Sequence, residues 1–204
     1  MKKTIAIMIG AVVGLSGITH VQAHEHGGEA YSAEAVTFEL DAAHSLVGFS
    51  IRHLGLANIR GLFHDYAATI RMVDHDITTL SVKAKVHMAS VDTANQQRDD
   101  HLRSPDYLEV ETYPHMTFKS SGVVAHGDGH ALVGDLTIKG ITREVTLPVT
   151  MAGPVEDAWG NTKMGFEFGG SVNRHDFGVA NDSVADRALG NQIRFDIQVQ
   201  VVKP

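Results

Sequence analysis

Apolar and polar residues alternate at a spacing of two through much of this chain, which confines the fold to half-buried β-strands. Val47, Phe49, Ile51 and His53 share one face, and so do Leu80, Val82, Ala84, Val86 and Met88, opposite Ser81, Lys83, Lys85 and His87. The pattern returns at Val145, Leu147, Val149 and Met151, at Met164, Phe166 and Phe168, and at Ile193, Phe195, Ile197, Val199 and Val201. Each set falls on one side of a pleated ribbon. Turn-forming groups separate the runs: Asp74-His75-Asp76, Gly127-Asp128-Gly129, Lys139-Gly140 and Asp157-Ala158-Trp159-Gly160-Asn161. Connections this short make neighbouring strands antiparallel hairpins. About eight or nine strands are expected from Val36 onward, near the number that closes a barrel able to hold one ligand. A flat sandwich satisfies the same alternation. The long runs at residues 78–90 and 161–173 favour closure, because long open edges invite aggregation.

One polar, charged segment interrupts the strands, reading SVDTANQQRDDHLRSPDYLEVETYPHMTFKSS over residues 90–121. Thr93 followed by Gln96 has the form of a capping box, so a helix is expected from Ala94, with Pro105 stopping it. Arg98, His101 and Leu102 share one side of that helix. Its apolar stripe is too narrow to hold it, so Leu102, Tyr107 and Leu108 must anchor it. The expected architecture is an all-β, antiparallel barrel of about eight strands with a short helical lid across one mouth.

Lys2 and Lys3 precede an uncharged, largely apolar run over residues 4–18, and Val21-Gln22-Ala23 supplies small residues for a signal peptidase. Residues 1–23 are therefore expected to be a secretory signal cleaved after Ala23, which places the protein in the periplasm. The run falls short of the roughly 20 residues needed to span a bilayer. Residues 24–35, beginning His24-Glu25-His26-Gly27-Gly28-Glu29-Ala30, read as a flexible His-containing leader, leaving residues 36–204 for one barrel domain. With Cys 0, the fold must be held by its core, and a cysteine-linked lipid anchor is excluded. The formal net charge of −7, scattered along the chain, argues against nucleic acid as a partner and against stable membrane insertion, although local basic residues can still matter.

With His 13, metal binding needs weighing, and the leader's His24-Glu25-His26 is the best local cluster. A closed zinc site takes about four convergent ligands, which no Cys and no HExxH helix supplies; His126 and His130 merely flank a glycine turn. No dedicated metal site and no cofactor is expected. There is no G-x-S-x-G elbow, no cysteine nucleophile and no phosphate-cradling glycine loop, and neither Asp99 with His101 nor Asp176 with His175 makes a catalytic pair by sequence adjacency alone. The expectation is a binding protein, not an enzyme. The alternative is an acid- or metal-responsive stress or interaction protein with an incidental barrel, since so many histidines would charge together on acidification.

Several local groups, taken in order, resemble the YceI-like family of periplasmic proteins. They are Asp41-Ala42-Ala43-His44-Ser45 with Phe49 and His53; Gly61 and Phe63; Ser90-Val91-Asp92-Thr93; Arg98-Asp99 with His101-Leu102; Tyr113-Pro114 with Phe118 and Ser120; the run from Gly134 through Thr142; and Arg174 with Phe177-Gly178. The resemblance covers nearly all of the chain beyond the leader. It implies a lipocalin-like barrel with an apolar tunnel that holds an isoprenoid or other long-chain lipid, such as an isoprenoid quinone or a prenyl phosphate, without chemistry. On that reading the apolar lining comprises Phe49, Ile51, Phe63, Leu102, Phe118, Leu136, Ile138, Phe166, Phe168, Ile193 and Phe195, with Met164 and Phe177 left as core. Arg98 and Arg174 are candidates for a head group at the mouth, and equally for Arg98–Asp99 and Arg174–Asp176 networks that fix the lid. His53 and His101 stand open in the same way. A homodimer is a modest further expectation.

Overall fold

A computed structural model describes residues 34–181 and 183–204. The expected signal and leader therefore lie, apart from Glu34 and Ala35, outside the described residues. Eleven strands form: β1 (Val36–His53), β2 (Ala57–Phe63), β3 (Tyr66–Val73), β4 (Asp76–His87), β5 (Val91–Asp92), β6 (His115–His126), β7 (Gly129–Ile138), β8 (Ile141–Glu156), β9 (Thr162–Phe168), β10 (Ser171–Asn173) and β11 (Leu189–Val202). Among the described residues two α-helices accompany them, α1 (Gln96–Arg103) and α2 (Val184–Arg187).

Eight of the strands close into an antiparallel barrel in the order β1-β3-β4-β6-β7-β8-β9-β11, with β11 returning to β1. The remaining three lengthen one end of it. β1 pairs first with β3, Val36 opposite Met72, and then with β2, Val47 opposite Phe63, so β2 and β3 act as one strand interrupted at His64 and Asp65. β11 pairs with β9, Val201 opposite Met164, and then with β10, Ile193 opposite Val172. The run expected to be continuous over residues 161–173 is thus broken at Gly169-Gly170, where Gly170 takes a φ of 121° that a side chain would disfavour. A second irregularity lies in β1 itself, where pairing with β11 lapses between Asp41 and Leu46. Ser45 spans the lapse: its Oγ donates to the Asp41 carbonyl at 2.8 Å and accepts the Gln200 N–H at 2.9 Å.

The turn signals act as their chemistry demands. Asp74 and His75, and likewise Lys139 and Gly140, take positive φ, the mirror-image turns that match strand twist. In the β8–β9 turn the Asp157 carboxylate accepts N–H groups from Asn161 and Trp159, each at 2.9 Å. The Asn161 N–H leads in lowering its pKa to about 2; burial opposes this, and the Asn161 side chain, Trp159 and Lys163 add to it. Because the folded value lies below that of an ordinary carboxylate, the stabilisation is present at neutral pH and fades as pH falls toward 2. Urea denaturation of Asp157→Ala against the wild type is expected to show a clear stability gap at neutral pH that narrows as pH approaches 2.

Inside the barrel the alternating faces converge on two apolar clusters. At the end away from the helices, Ile70, Met72, Leu132, Met164, Phe166 and Val201 interlock and plug the barrel. Toward the helices, Val86, Met88, Met116, Leu136, Ile138 and Phe177 form the second cluster, and Tyr107, Leu108 and Val110 from the segment after α1 pack into it. Phe118 packs against both. The packing is not continuous between these layers.

Candidate ligand-binding chamber

Two adjoining apolar cavities run from beneath the helices into the barrel interior. The wider, about 320 Å³, lies under α1 and α2; the narrower, about 90 Å³, runs deeper, and Val47, Met116, Phe195 and Ile197 line both. Burial along β11 reports the change of role. Val201 is buried in the plug and Val199 is buried at its edge, where it borders the narrower cavity, whereas Ile193, Phe195 and Ile197 are only half-buried along the cavity walls. Gly61 helps make that space, since Phe49 lies directly over it: a Cβ there would sit 2.5 Å from the Phe49 ring. Phe49 in turn packs against Phe63, ring centroids 5.5 Å apart.

Most of the residues expected at a lining reach a cavity wall. Phe49, Ile51, His53, Phe63, Arg98, His101, Leu102, Ile138, Arg174, Ile193 and Phe195 line the wider chamber, while Phe118, Leu136 and Phe168 line the narrower one, which Phe195 also reaches. Two do not. Phe166 shares its strand face with Phe168 but sits a step closer to the plug and is fully buried there. Asp99 lines neither cavity and is spent on Thr93, accepting its N–H at 2.9 Å and its hydroxyl at 2.5 Å. Tyr66 and Met88 also line the cavities without having been expected there, although Met88 belonged to an alternating face, and Tyr107, expected only as an anchor of the lid, lines the wider chamber as well.

The lid differs from its expected capping. Ala94 is left-handed, with φ 59°, and cannot begin a helix; Asn95 caps instead, its side chain accepting the Arg98 N–H at 3.0 Å. The Thr93 hydroxyl is already committed to Asp99. Leu102, Tyr107 and Leu108 anchor the segment as expected. Arg103 ties α1 down from outside the chamber, its Nε donating to the Ala89 carbonyl at 2.8 Å and its Nη2 to the Val91 carbonyl at 2.7 Å.

The polar groups at the chamber divide into committed and available. Arg174, 3% exposed, spends all five of its N–H donors within the protein: Nε on the Gly190 carbonyl, Nη1 on the Val179 carbonyl and Asp186 Oδ1, and Nη2 on the Asp186 carbonyl and Oδ2. Its partner is Asp186 on α2, not the sequence neighbour Asp176. Burial opposes ionisation of Asp186, but the Arg174 hydrogen bonds and charge hold its pKa below the usual carboxylate value. Burial, followed by the Asp186 charge, pushes the Tyr107 phenol up. His101 pairs with Asp106 at 2.9 Å and meets Tyr107 edge-on. Arg98 is different: its Nε and Nη2 hold Thr93, both at 2.7 Å, but its Nη1 donates to no protein group among the described residues. His53 makes no side-chain hydrogen bond among those residues either, and both groups face the wider chamber.

A closed eight-strand barrel with a lidded apolar chamber is one architecture among several, but a family model described as the YceI-like domain matches residues 38–201. The chain belongs to the YceI-like family. YceI of Escherichia coli is 37% identical over 153 residues, spanning 74% of this chain and 80% of that protein. The crystal structure of a Campylobacter jejuni YceI protein, 31% identical, superposes with a TM-score of 0.67 over 81% of this chain and 96% of that one. A Saccharophagus degradans domain described as polyisoprenoid binding shares the YceI barrel, with a TM-score of 0.59 at 13% identity over 84% of this chain and 100% of that one. Among the described residues of this YceI-like chain, no group of three or more His, Asp or Glu could hold a metal ion.

Proposed function

We propose that this protein is a periplasmic carrier that holds a long isoprenoid lipid, of the quinone or prenyl phosphate type, in the barrel chamber without making or breaking bonds. The observation that carries this reading is the unfilled apolar space between plug and lid. The apolar walls of this space, about 320 Å³ in its wider part, have nothing packed against them in an empty barrel. An apolar occupant covers them, and each buried CH₂ contributes about 0.8 kcal/mol to its retention.

The available donors give the lipid an orientation. Its chain runs down toward Phe118, Leu136 and Phe168, and its polar head meets Arg98 Nη1 and His53 near the lid. Arg174 takes no part, because its donors are consumed by Asp186 and neighbouring carbonyls. The polyisoprenoid-binding description of the Saccharophagus degradans domain adds support for the ligand class, and the signal-like residues 1–23 support the compartment. Organic extraction of the purified protein followed by mass spectrometry tests the reading. A prenyl lipid at near-stoichiometric amount is expected. Chloroform-soluble material absent from a correctly folded protein would overturn it and favour an acid-responsive role through the exposed His64–Asp92 and His87–Asp65 pairs.

A further inference from the structure

The tip of the β1–β2 hairpin presents leucines to solvent at a place where turn chemistry asks for something else. Leu54 and Leu56 are 63% and 82% exposed, and Leu54 holds a φ of 51°, a left-handed conformation that Asn, Asp or Gly adopts at less cost. Two local preferences are thus overridden, one of residue type in the turn and one of side-chain burial. The Leu54 N–H donates to the Ala188 carbonyl at 2.7 Å, which sets α2 and its exposed Val184 beside the tip. The residues at the tip's base, His53 and Ile59, line the wider chamber. These leucines stand at the chamber mouth.

The outer face of the same strands is basic, although the chain as a whole is acidic at −7. Arg60 on β2 and Arg194 on β11 both lie opposite Ser50 of β1, and Arg52 is one row nearer the tip. All three arginines are exposed and none forms an ion pair among the described residues. Asp196, opposite Gly48, is the first acid on this face, a row farther from the tip. Exposed apolar side chains at an extremity, flanked by unpaired cations, match the chemistry of an anionic bilayer surface: leucines enter the acyl boundary and guanidiniums meet phosphates.

We propose that the β1–β2 tip is a peripheral docking surface for anionic phospholipid membranes, seating the chamber mouth at the interface where a lipid can enter or leave. This rests on the carrier reading for its purpose but not for its test. Sedimentation with vesicles of 70:30 phosphatidylcholine and phosphatidylglycerol compares the wild type with Leu54→Asn/Leu56→Ser and with Arg60→Gln/Arg194→Gln, all carrying the same N-terminus. Circular dichroism and extracted-lipid content are measured alongside. Each variant, with fold and cargo unchanged, is expected to lose at least tenfold in vesicle binding; wild-type binding should weaken with salt and on pure phosphatidylcholine. Equal binding by wild type and the leucine variant would overturn the proposal. So would a wild type that ignores the vesicles but forms a dimer that the leucine variant does not, which would make the tip a self-association surface. A wild type that docks but carries no cargo would sink the carrier reading and leave the docking surface standing.

Discussion

Asp186→Ala is expected to cost the barrel about 3–5 kcal/mol, because it leaves the Arg174 guanidinium charged and buried without its counter-ion. Both side chains are at most 3% exposed, and the Nη1–Oδ1 distance is 2.6 Å. Burial of Asp186 works against its ionisation, yet the Arg174 contacts keep the folded pKa below that of an ordinary carboxylate. The pair's contribution is therefore present at neutral pH and is lost as pH falls through that depressed value. Urea denaturation at neutral pH measures the loss. A double replacement, Arg174→Met with Asp186→Leu, removes both charges and is expected to recover part of it, because the unpaired charge is gone while the Gly190, Val179 and Asp186 carbonyls still lose the donors that Arg174 gave them. If the single variant were as stable as the wild type, the pair would have no part in fixing α2 against the chamber.

The second large effect concerns cargo. Phe49→Asp places a carboxylate on the wall of the wider chamber, where an apolar chain could cover it only by stripping its water or forcing it to take up a proton. Phe49 is half-buried and faces open space, so its replacement relieves packing on Gly61 and leaves the plug around Phe166 intact. Lipid retention is expected to fall at least 100-fold, about 2.7 kcal/mol, with little change in the circular dichroism spectrum. Unchanged lipid content by extraction and mass spectrometry would remove Phe49 from the binding wall. The contrast with Asp186 is informative: one substitution should loosen the frame, while the other should empty it.

The barrel was legible because its strands have one wet and one dry face, so a period of two survives in the sequence as Leu80, Val82, Val86 and as Val199, Val201. Turns such as Lys139-Gly140 were legible because positive φ selects few residue types. Depth along the barrel axis was not. Phe166 and Phe168 occupy equivalent places in the alternation and both join the plug, yet only Phe168 also meets the cavity, and nothing local distinguishes them. The lid's cap misled for a different reason: Thr93 has the right chemistry, but Asp99 claims its hydroxyl and the left-handed Ala94 hands the capping position to Asn95. Arg174 likewise found its carboxylate 12 residues away across a turn, not at the adjacent Asp176. The break at Gly169-Gly170 could have been read, since paired glycines inside a strand pattern mark an interruption.

Sealing the cylinder falls to the two strands farthest apart in the chain. Ser45 and Gln200 join across 155 residues, and the β1–β11 seam runs from Glu39 opposite Val202 to His53 opposite Leu189. Until β11 has emerged from the ribosome, β1 has no partner on that side, and the nascent polypeptide is an open, sticky sheet. Long-range closure of this kind is slow to form. The cylinder is therefore expected to close only after its last strand has been synthesised.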